Sequence, residues 1–253
     1  MINLTGHVAL VTGAGSERGI GQAIAQALAA QGASVAVADL DGIGAERVAT
    51  LIRDAGRQAR AYTLDVTDPR SVQSTVAQVV SDLGSLEILV NNAGISQPIT
   101  VEETTRDDWD RVMAVNSTGT FLCSQAAAAY MGKHRYGRII NMSSVSAKRG
   151  GGVFGGAHYS AAKAAVLGFG KAMAREVAPF GITVNSVTPG LILTDIRGGA
   201  EPEDKQREMS REIPLQRVGL PEEVAALVCF LASTEAGYIT GEEIDINGGS
   251  HID

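Results

Sequence analysis

The sequence predicts an α/β protein in which a doubly wound, seven-stranded parallel sheet is flanked by helices. Two observations predict this fold class. Short apolar runs of strand length alternate with helix-forming stretches along the 253 residues. Gly, Asp, Asn and Ser follow several of these runs, and a doubly wound sheet gathers the carboxyl ends of its strands at one edge. Because no low-complexity linker or internal repeat interrupts the alternation, residues 1–253 are expected to form one domain.

Composition limits the classes of function. Hydrophobic residues make up 45% of the chain and charged residues 19%, which is enough apolar sequence to bury a sizeable core. The net charge of −7 argues against general affinity for nucleic acid or anionic membranes. No apolar run is long enough to span a membrane, and the N-terminus lacks a signal-peptide pattern. Cys123 and Cys229 lie in apolar helical patterns without metal-ligand spacing, so we expect buried free thiols, no metal site and a cytoplasmic location.

A glycine-rich turn follows the first strand. Residues 7–12 form an apolar run, residues 13–21 contain four glycines, and an Ala-rich helix continues to Gln31. A glycine turn alone is weak evidence, because any strand-to-helix connection can require glycine. Between a buried strand and a helix, however, glycines let a pyrophosphate approach the backbone, and the helix N-terminus supplies N–H donors and positive potential. This context predicts a phosphate-binding turn.

The second strand, residues 34–39, ends in Asp39. A carboxylate there can accept hydrogen bonds from both ribose hydroxyls of an adenosine, or it can be an ordinary solvated acid. Its charge would repel a 2′-phosphate and therefore favours NAD over NADP. Arg18, inside the glycine turn, favours NADP instead, because a guanidinium can pair with that phosphate. We give Asp39 more weight, since the long Arg18 side chain can swing into solvent.

The alternation continues to the C-terminus. The remaining predicted strands are residues 59–64, 86–90, 138–144, 182–187 and 243–247, and the remaining predicted helices are residues 44–55, 71–83, 107–131, 159–179 and 221–232. Residues 193–214 are a polar interruption that contains Gly198 and Gly199. They are interpreted either as a solvated helical insertion or as a lid that closes over the substrate.

Tyr159 and Lys163 are spaced i, i+4 at the start of a predicted helix, so their side chains share one helical face. An isolated phenol has too high a pKa to act as a general base at neutral pH, and a nearby ammonium lowers that pKa. The alternative is an ordinary exposed helix that happens to carry a Tyr and a Lys. The catalytic interpretation and the ordinary one can be distinguished only with motifs elsewhere in the chain.

The chain resembles the short-chain dehydrogenase/reductase family along essentially its whole length. The motifs that carry the resemblance are Thr12-Gly13 with Gly19-Ile20-Gly21, Asp65-Val66, Asn91-Asn92-Ala93-Gly94, Asn116, Ser144, Tyr159 with Lys163, Pro189-Gly190 and Asn247-Gly248-Gly249. The order of these motifs is far more specific than any one of them. The resemblance implies a Rossmann fold and an NAD(P)-dependent oxidoreductase that acts on a CH–OH group.

Four catalytic roles are implied by the resemblance. Tyr159 would exchange a proton with the substrate oxygen, and Lys163 would lower the pKa of Tyr159 and bind the nicotinamide ribose. Ser144 would hydrogen-bond the substrate oxygen. Asn116 would hold a water that links Lys163 to solvent.

The resemblance also implies the binding residues. The cofactor contacts would come from Gly13, Ser16, Arg18, Gly19, Ile20, Gly21, Asp39, Leu40, Asp65, Val66, Asn92, Ala93, Gly94, Tyr159, Lys163, Pro189, Gly190, Ile192 and Thr194. Substrate contacts would come from Ser144, Ser146, Val153 and Tyr159, in a pocket that also includes Ser96, Gly152 and residues 193–214.

Two features depart from the family pattern. The glycine turn is two residues longer than usual, which leaves the role of Gly15 open and can reposition Arg18. The separation of Ser144 from Tyr159 is also about two residues longer. Ser143 is an alternative to Ser144 as the catalytic serine. Ser144 is preferred, because alternation along a strand places neighbouring side chains on opposite faces.

The predicted activity is reversible hydride transfer between NAD(H) and a secondary alcohol or ketone, with a small polar alcohol, polyol or sugar as substrate. An NADP(H)-dependent 3-oxoacyl-thioester reductase is the alternative. Epimerases and dehydratases that retain a cofactor, and a non-catalytic dinucleotide-binding scaffold, are further alternatives. The resemblance implies a homotetramer assembled through helices 107–131 and 159–179, with no nucleic-acid or membrane partner.

Overall fold

A seven-stranded parallel sheet runs through the computed structural model, which describes residues 2–151, 155–194 and 208–252. The strand order is β3-β2-β1-β4-β5-β6-β7. The strands are β1 Val8–Thr12, β2 Ser34–Asp39, β3 Ala59–Thr63, β4 Ile88–Asn91, β5 Gly137–Met142, β6 Ile182–Pro189 and β7 Glu243–Ile246. The chain winds outward from β1 in one direction and from β4 in the other, which opens a crevice at the carboxyl ends of these two strands. The predicted fold class is confirmed.

Helices cover both faces of this sheet. They are α1 Ile20–Ala30, α2 Gly42–Asp54, α3 Pro69–Leu83, α4 Arg106–Met113, α5 Gly119–His134, α6 Ser146–Arg149, α7 Ala157–Val177 and α8 Pro221–Ala232. The predicted helix 107–131 is therefore α4 and α5, joined by a π-helical turn at Ala114–Thr118. The short helix α6 was not predicted, because four residues are too few to show a helical period. Within the described part of the chain, no helix is long and apolar enough to cross a membrane.

Alternate residues of the central strands pack against the two helical layers. Ala9 and Val11 of β1 belong to a core cluster with side chains of α1, α2 and α8. Val8 and Leu10 belong to a second cluster with side chains of α3, α5 and α7. All five residues of β1 are buried, which explains why this strand is a continuous apolar run rather than an alternating one. Each large aliphatic side chain buried in this way contributes about 1.5–3 kcal/mol to folding.

Helix α7 lies unusually close to the sheet at Gly170. A Cβ atom at this residue would come within 2.9 Å of Ser186 Oγ and 3.4 Å of Asn141 Nδ2. The same helix carries Tyr159 and Lys163, so its distance from the sheet bears on the position of both side chains.

Replacing Gly170 with Ala should therefore push α7 away from β5 and β6. We expect the free energy of unfolding, measured by urea denaturation, to fall by about 1–3 kcal/mol, as for other overpacked cores. Gly168→Ala on the same helix is the matched control, because nothing lies within 4 Å of a Cβ atom there. The control should gain up to about 1 kcal/mol from helix propensity. Equal effects of the two substitutions would contradict the close contact at Gly170.

Candidate active site

The predicted site residues meet in one cleft at the carboxyl ends of the strands. Its volume is about 1130 Å³, which is larger than most pockets for small ligands. The predicted residues that line it are Gly13, Ser16, Gly19, Ile20, Gly21, Asp39, Leu40, Asp65, Val66, Asn92, Ala93, Gly94, Ser96, Asn116, Ser144, Ser146, Tyr159, Lys163, Pro189, Gly190, Ile192 and Thr194. Val153, Gly152 and residues 195–207 of the predicted lid lie outside the described residues.

Arg18 is the predicted residue that the structure does not bring to the cleft wall. Its side chain is exposed on the glycine turn, and it is absent from the residues that line the cavity. The predicted contact of Arg18 with a cofactor phosphate therefore receives no support from this geometry.

The glycine turn is fastened to the end of β4. Gly13 has φ = 64°, and a Cβ atom there would lie 2.6 Å from Ala93 Cα, so only glycine fits. Asn92 Nδ2 donates to Thr12 O at 3.0 Å and to Gly13 O at 2.8 Å. In return, Thr12 Oγ1 accepts from the backbone N–H groups of Asn92 and Ala93, each at 3.1 Å. Asn92 therefore holds the turn itself, through side-chain hydrogen bonds to two of its carbonyl groups.

Helix α1 begins directly at the cleft. Its N-cap residue is Gly19, which has no side chain to accept a hydrogen bond from the first turn. The first N–H groups of a helix have no partner within the helix, and here Ile20 and Gly21 line the cleft. This arrangement fits an anionic ligand such as a pyrophosphate.

Two carboxylates lie at the other side of the glycine turn. Asp39 accepts from Gly15 N through Oδ2 at 2.7 Å and from Asp41 N through Oδ1 at 3.0 Å. Asp65 Oδ1 accepts from the N–H and the hydroxyl of Thr67, at 2.8 and 2.7 Å. A carboxylate can accept about four hydrogen bonds, so both groups keep capacity for ribose hydroxyls or an adenine amine.

Lys163 is buried beneath Tyr159. The Lys163 side chain is 4% exposed, its Nζ donates to Met142 O at 2.8 Å, and Nζ lies 5.8 Å from the centre of the Tyr159 ring. Burial lowers the pKa of Lys163 to about 8, so the amine is still mostly protonated at neutral pH. The i, i+4 pair thus places a cation beside the phenol, as the sequence predicts, and both side chains line the cleft.

The two adjacent serines are used differently. Ser143 Oγ donates to Lys163 O at 2.8 Å and is buried, so this hydroxyl holds α7 against the end of β5. Ser144 is half-buried, and its Oγ accepts from Ser146 N at 3.1 Å. Strand β5 already ends at Met142, so continuing strand alternation is not the reason for the difference. The turn into α6 leaves the Ser144 hydroxyl as the better placed of the two for a substrate.

Asn116 lies in the π-helical turn and is fully buried. Its Nδ2 donates to Ile95 O and Val112 O, each at 2.9 Å, whereas its Oδ1 has no hydrogen-bond partner among the described residues. Asn116 Oδ1 and Lys163 Nζ lie 2.7 and 3.2 Å from the position of a Cβ atom on Gly94. An unpaired buried acceptor close to an ammonium is a suitable place for an ordered water.

The last side of the cleft is formed after β6. Val145 N donates to Pro189 O and Gly190 N donates to Ile246 O, each at 3.0 Å. These bonds connect the end of β6 both to the turn that carries Ser144 and to the end of β7. Ile192 and Thr194 continue this wall.

Several cleft residues were not found from the sequence. They are Leu64, Ile95, Val115, Met142, Ser143, Val145, Arg149, Gly151, Gly155, Leu191 and Ser250. Most are apolar or small residues that carry no chemical signal, and Ser250 approaches only through the C-terminal turn. The described end of the predicted segment 193–214 does line the cleft, through Glu208, Met209, Arg211, Glu212 and Ile213. Over the described ranges, no three His, Cys, Asp or Glu side chains come together as a metal site would require.

Comparison with known proteins identifies relatives over the full chain. A family model described as Enoyl-(Acyl carrier protein) reductase matches residues 13–251. An uncharacterized short-chain type dehydrogenase/reductase of Sinorhizobium fredii, y4mP, is 46% identical over 98% of this chain and 99% of its own. The 3-oxoacyl-[acyl-carrier-protein] reductase FabG of Vibrio cholerae is 43% identical over 99% of this chain and all of its own.

A solved structure leads to the same family. A short-chain type dehydrogenase/reductase from Mycobacterium marinum superposes with a TM-score of 0.93 at 38% identity, covering 100% of this chain and 98% of that one. The cleft, the order of its motifs and these full-length relatives agree: the chain belongs to the short-chain dehydrogenase/reductase family of oxidoreductases.

Proposed function

We propose that this protein is an NAD(H)-dependent oxidoreductase that interconverts a secondary alcohol and a ketone, with a small polar alcohol, polyol or sugar as substrate. The observation that carries the proposal is the Tyr159–Lys163 pair, in which a buried ammonium lies beside a phenol in the cleft. Ser96, Ser146 and Arg149 on the cleft wall support a polar substrate.

The residues of the cleft fit a dinucleotide. The uncapped N-terminus of α1 would hold the pyrophosphate, Asp39 the adenosine ribose, and Asp65 the adenine edge. Pro189, Gly190, Ile192 and Thr194 would hold the nicotinamide end. A bound dinucleotide supplies the acceptor or donor for the hydride. The preference for NAD rests on the Asp39 carboxylate, which would lie against a 2′-phosphate.

The side chains divide the proton chemistry. Tyr159 Oη would take the hydroxyl proton when an alcohol is oxidised and return it when a ketone is reduced. The Lys163 ammonium stabilises the phenolate form of Tyr159 through its charge. Ser144 Oγ would donate to the substrate oxygen and orient it. A water at Asn116 Oδ1 would pass protons between Lys163 and solvent.

A second candidate is an NADP(H)-dependent 3-oxoacyl-thioester reductase. Two observations favour it. The V. cholerae relative carries the name of such a reductase, and one wall of the cleft is apolar, with Leu191, Met209 and Ile213. An acyl chain could lie along this wall.

Activity assays at the nicotinamide absorbance separate the candidates. We expect NADH formation from NAD⁺ with a panel of polyols, sugars and small hydroxy-ketones, and weak activity with a 3-oxoacyl thioester and NADPH. Tyr159→Phe should lower kcat by about 10²–10⁴-fold, the usual contribution of a general acid–base group, and should leave NADH affinity nearly unchanged.

Tyr238→Phe is the matched control for this substitution, because that ring is fully exposed. It should keep wild-type turnover. Unchanged turnover of Tyr159→Phe would refute the catalytic assignment. Dinucleotide binding without turnover on any substrate of the panel would favour a non-catalytic scaffold.

Replacing Lys163 with Met tests the effect of the buried ammonium on stability and its effect on activity separately. Burial lowers the pKa of Lys163 from 10.5 to about 8, so the unfolded chain binds this proton more tightly than the folded protein does. The free energy of unfolding of the wild type therefore rises as the pH rises from about 8 to 10.5, and the variant lacks this contribution. Between pH 7 and pH 9.5, we expect the free energy of unfolding of the wild type to rise by about 2 kcal/mol relative to that of the variant, measured by urea denaturation.

The same variant should be inactive at every pH, because its phenol has no adjacent cation. Parallel pH profiles of stability for the two proteins would show that Lys163 does not titrate in this range.

We also propose a homotetramer in which α5 and α7 pack against partner copies. Phe121 on α5 is 42% exposed and meets Phe169 of α7 edge-to-face at 6.0 Å, so both helices present apolar surface. A groove between α3 and α5, lined partly by Leu122 and Ala126, adds to this surface. Apolar faces of this kind favour assembly.

Size-exclusion chromatography with light scattering should give the mass of four chains. Phe121→Glu should yield smaller species, because a carboxylate would be buried in the interface. A monomeric wild type at micromolar concentration would contradict this assembly.

We further propose a cytoplasmic location and no redox role for the two thiols. Cys123 and Cys229 are free and buried, and they belong to different core clusters. Burial raises the pKa of Cys123 to about 12 and of Cys229 to about 11. Both therefore remain protonated and unreactive at neutral pH.

A further inference from the structure

Gly15 is held from two sides, through the two peptide groups that flank its Cα atom. Its N–H donates to Asp39 Oδ2 at 2.7 Å, and its carbonyl accepts from Arg47 Nη2 at 2.8 Å. Gly15 lies in the part of the glycine turn that is two residues longer than the family pattern. Its neighbours Ser16, Glu17 and Arg18 are exposed, and the hydrogen bonds at Gly15 restrain the start of this exposed segment.

Arg47 lies on α2, and all three nitrogen atoms of its guanidinium contact the glycine turn or α1. Besides the bond to Gly15, Nη1 donates to Gln22 Oε1 at 3.2 Å, and Nε lies 3.8 Å from Glu17 Oε1. Gly44, one turn earlier on α2, has no side chain, and a Cβ atom there would lie 2.6 Å from Gly15 O. Helix α2 can therefore approach closely enough for Arg47 to reach the turn.

The position of Asp39 depends on the same contacts. One carboxylate oxygen is bound to Gly15 N and the other to Asp41 N. If the turn moves, Asp39 loses one of its two anchors and can rotate. Its carboxylate is the group proposed to receive the adenosine ribose and to repel a 2′-phosphate.

We propose that Arg47 is a positioning residue for the dinucleotide. It acts through Gly15: by holding the longer turn, it keeps Asp39 directed at the adenosine ribose and so sets both the affinity for NADH and the discrimination against NADPH. This inference rests on the proposed dinucleotide binding, but not on the identity of the alcohol or ketone.

Equilibrium titration of the purified wild type and Arg47→Leu with NADH and NADPH, followed by nicotinamide fluorescence, tests the inference. We expect the Kd for NADH to rise about ten-fold, the size expected when a charged donor loses its hydrogen bond. The Kd for NADPH should change less, because the repulsion from Asp39 weakens at the same time. The ratio of the two affinities should therefore fall, which a loss of general stability would not produce.

Arg53→Leu is the matched control. Arg53 lies on the same helix and also forms several hydrogen bonds, but to Glu46, Thr50 and Ala59 O rather than to the glycine turn. This variant should bind both dinucleotides as the wild type does. Arg47→Lys keeps the charge and one donor, and it should recover part of the affinity for NADH and of the affinity ratio.

An Arg47→Leu protein with wild-type affinities, or with losses equal to those of Arg53→Leu, would overturn the role of Arg47 while the proposed function stands. A wild type that binds neither dinucleotide would overturn both proposals. Thermal unfolding of all three variants, without ligand, identifies any affinity change that comes from partial unfolding.

Discussion

The arrangement of the cleft depends on one buried cation. The Lys163 ammonium is almost completely removed from water, and its direct hydrogen-bond acceptor is the Met142 carbonyl. Among the residues described, no carboxylate forms an ion pair with it. An ammonium in such a place is costly, which is why its pKa falls. The surrounding structure keeps it there: Ser143 fastens the backbone of Lys163, Gly94 leaves room for its amine, and Gly170 lets the helix approach the sheet.

Charged groups of both signs line the cleft, and those on the strand ends follow the order of the strands. Asp39 and Asp65 lie at one end, Lys163 lies at the other, and the uncapped N-terminus of α1 lies between them. The reversal of strand order between β1 and β4 creates this geometry, because it separates the connections that would otherwise cover the strand ends.

The sequence was informative where a single element determines the structure. All seven strands and the longer helices were predictable from apolar runs, and the Tyr159–Lys163 contact follows from helical spacing alone. Contacts between distant elements were not predictable. The hydrogen bond by which Ser143 holds α7 and the hydrogen bond of Arg47 to Gly15 join residues that are 20 and 32 positions apart. Helix α6 and the π-helical turn at Asn116 are too short or too irregular to leave a periodic pattern.

Contacts between distant elements also explain how the chain accommodates a longer glycine turn. Two additional residues add conformational freedom that ligand binding would have to remove. Here that freedom is reduced before any ligand arrives, since Gly15 is held by Asp39 on one side and by Arg47 on the other. The carboxylate proposed to recognise the ribose is thus also one of the groups that order the turn. The proposed recognition of the ribose and the order of the glycine turn are therefore coupled through one residue, Gly15, whose N–H contacts Asp39 and whose carbonyl contacts Arg47.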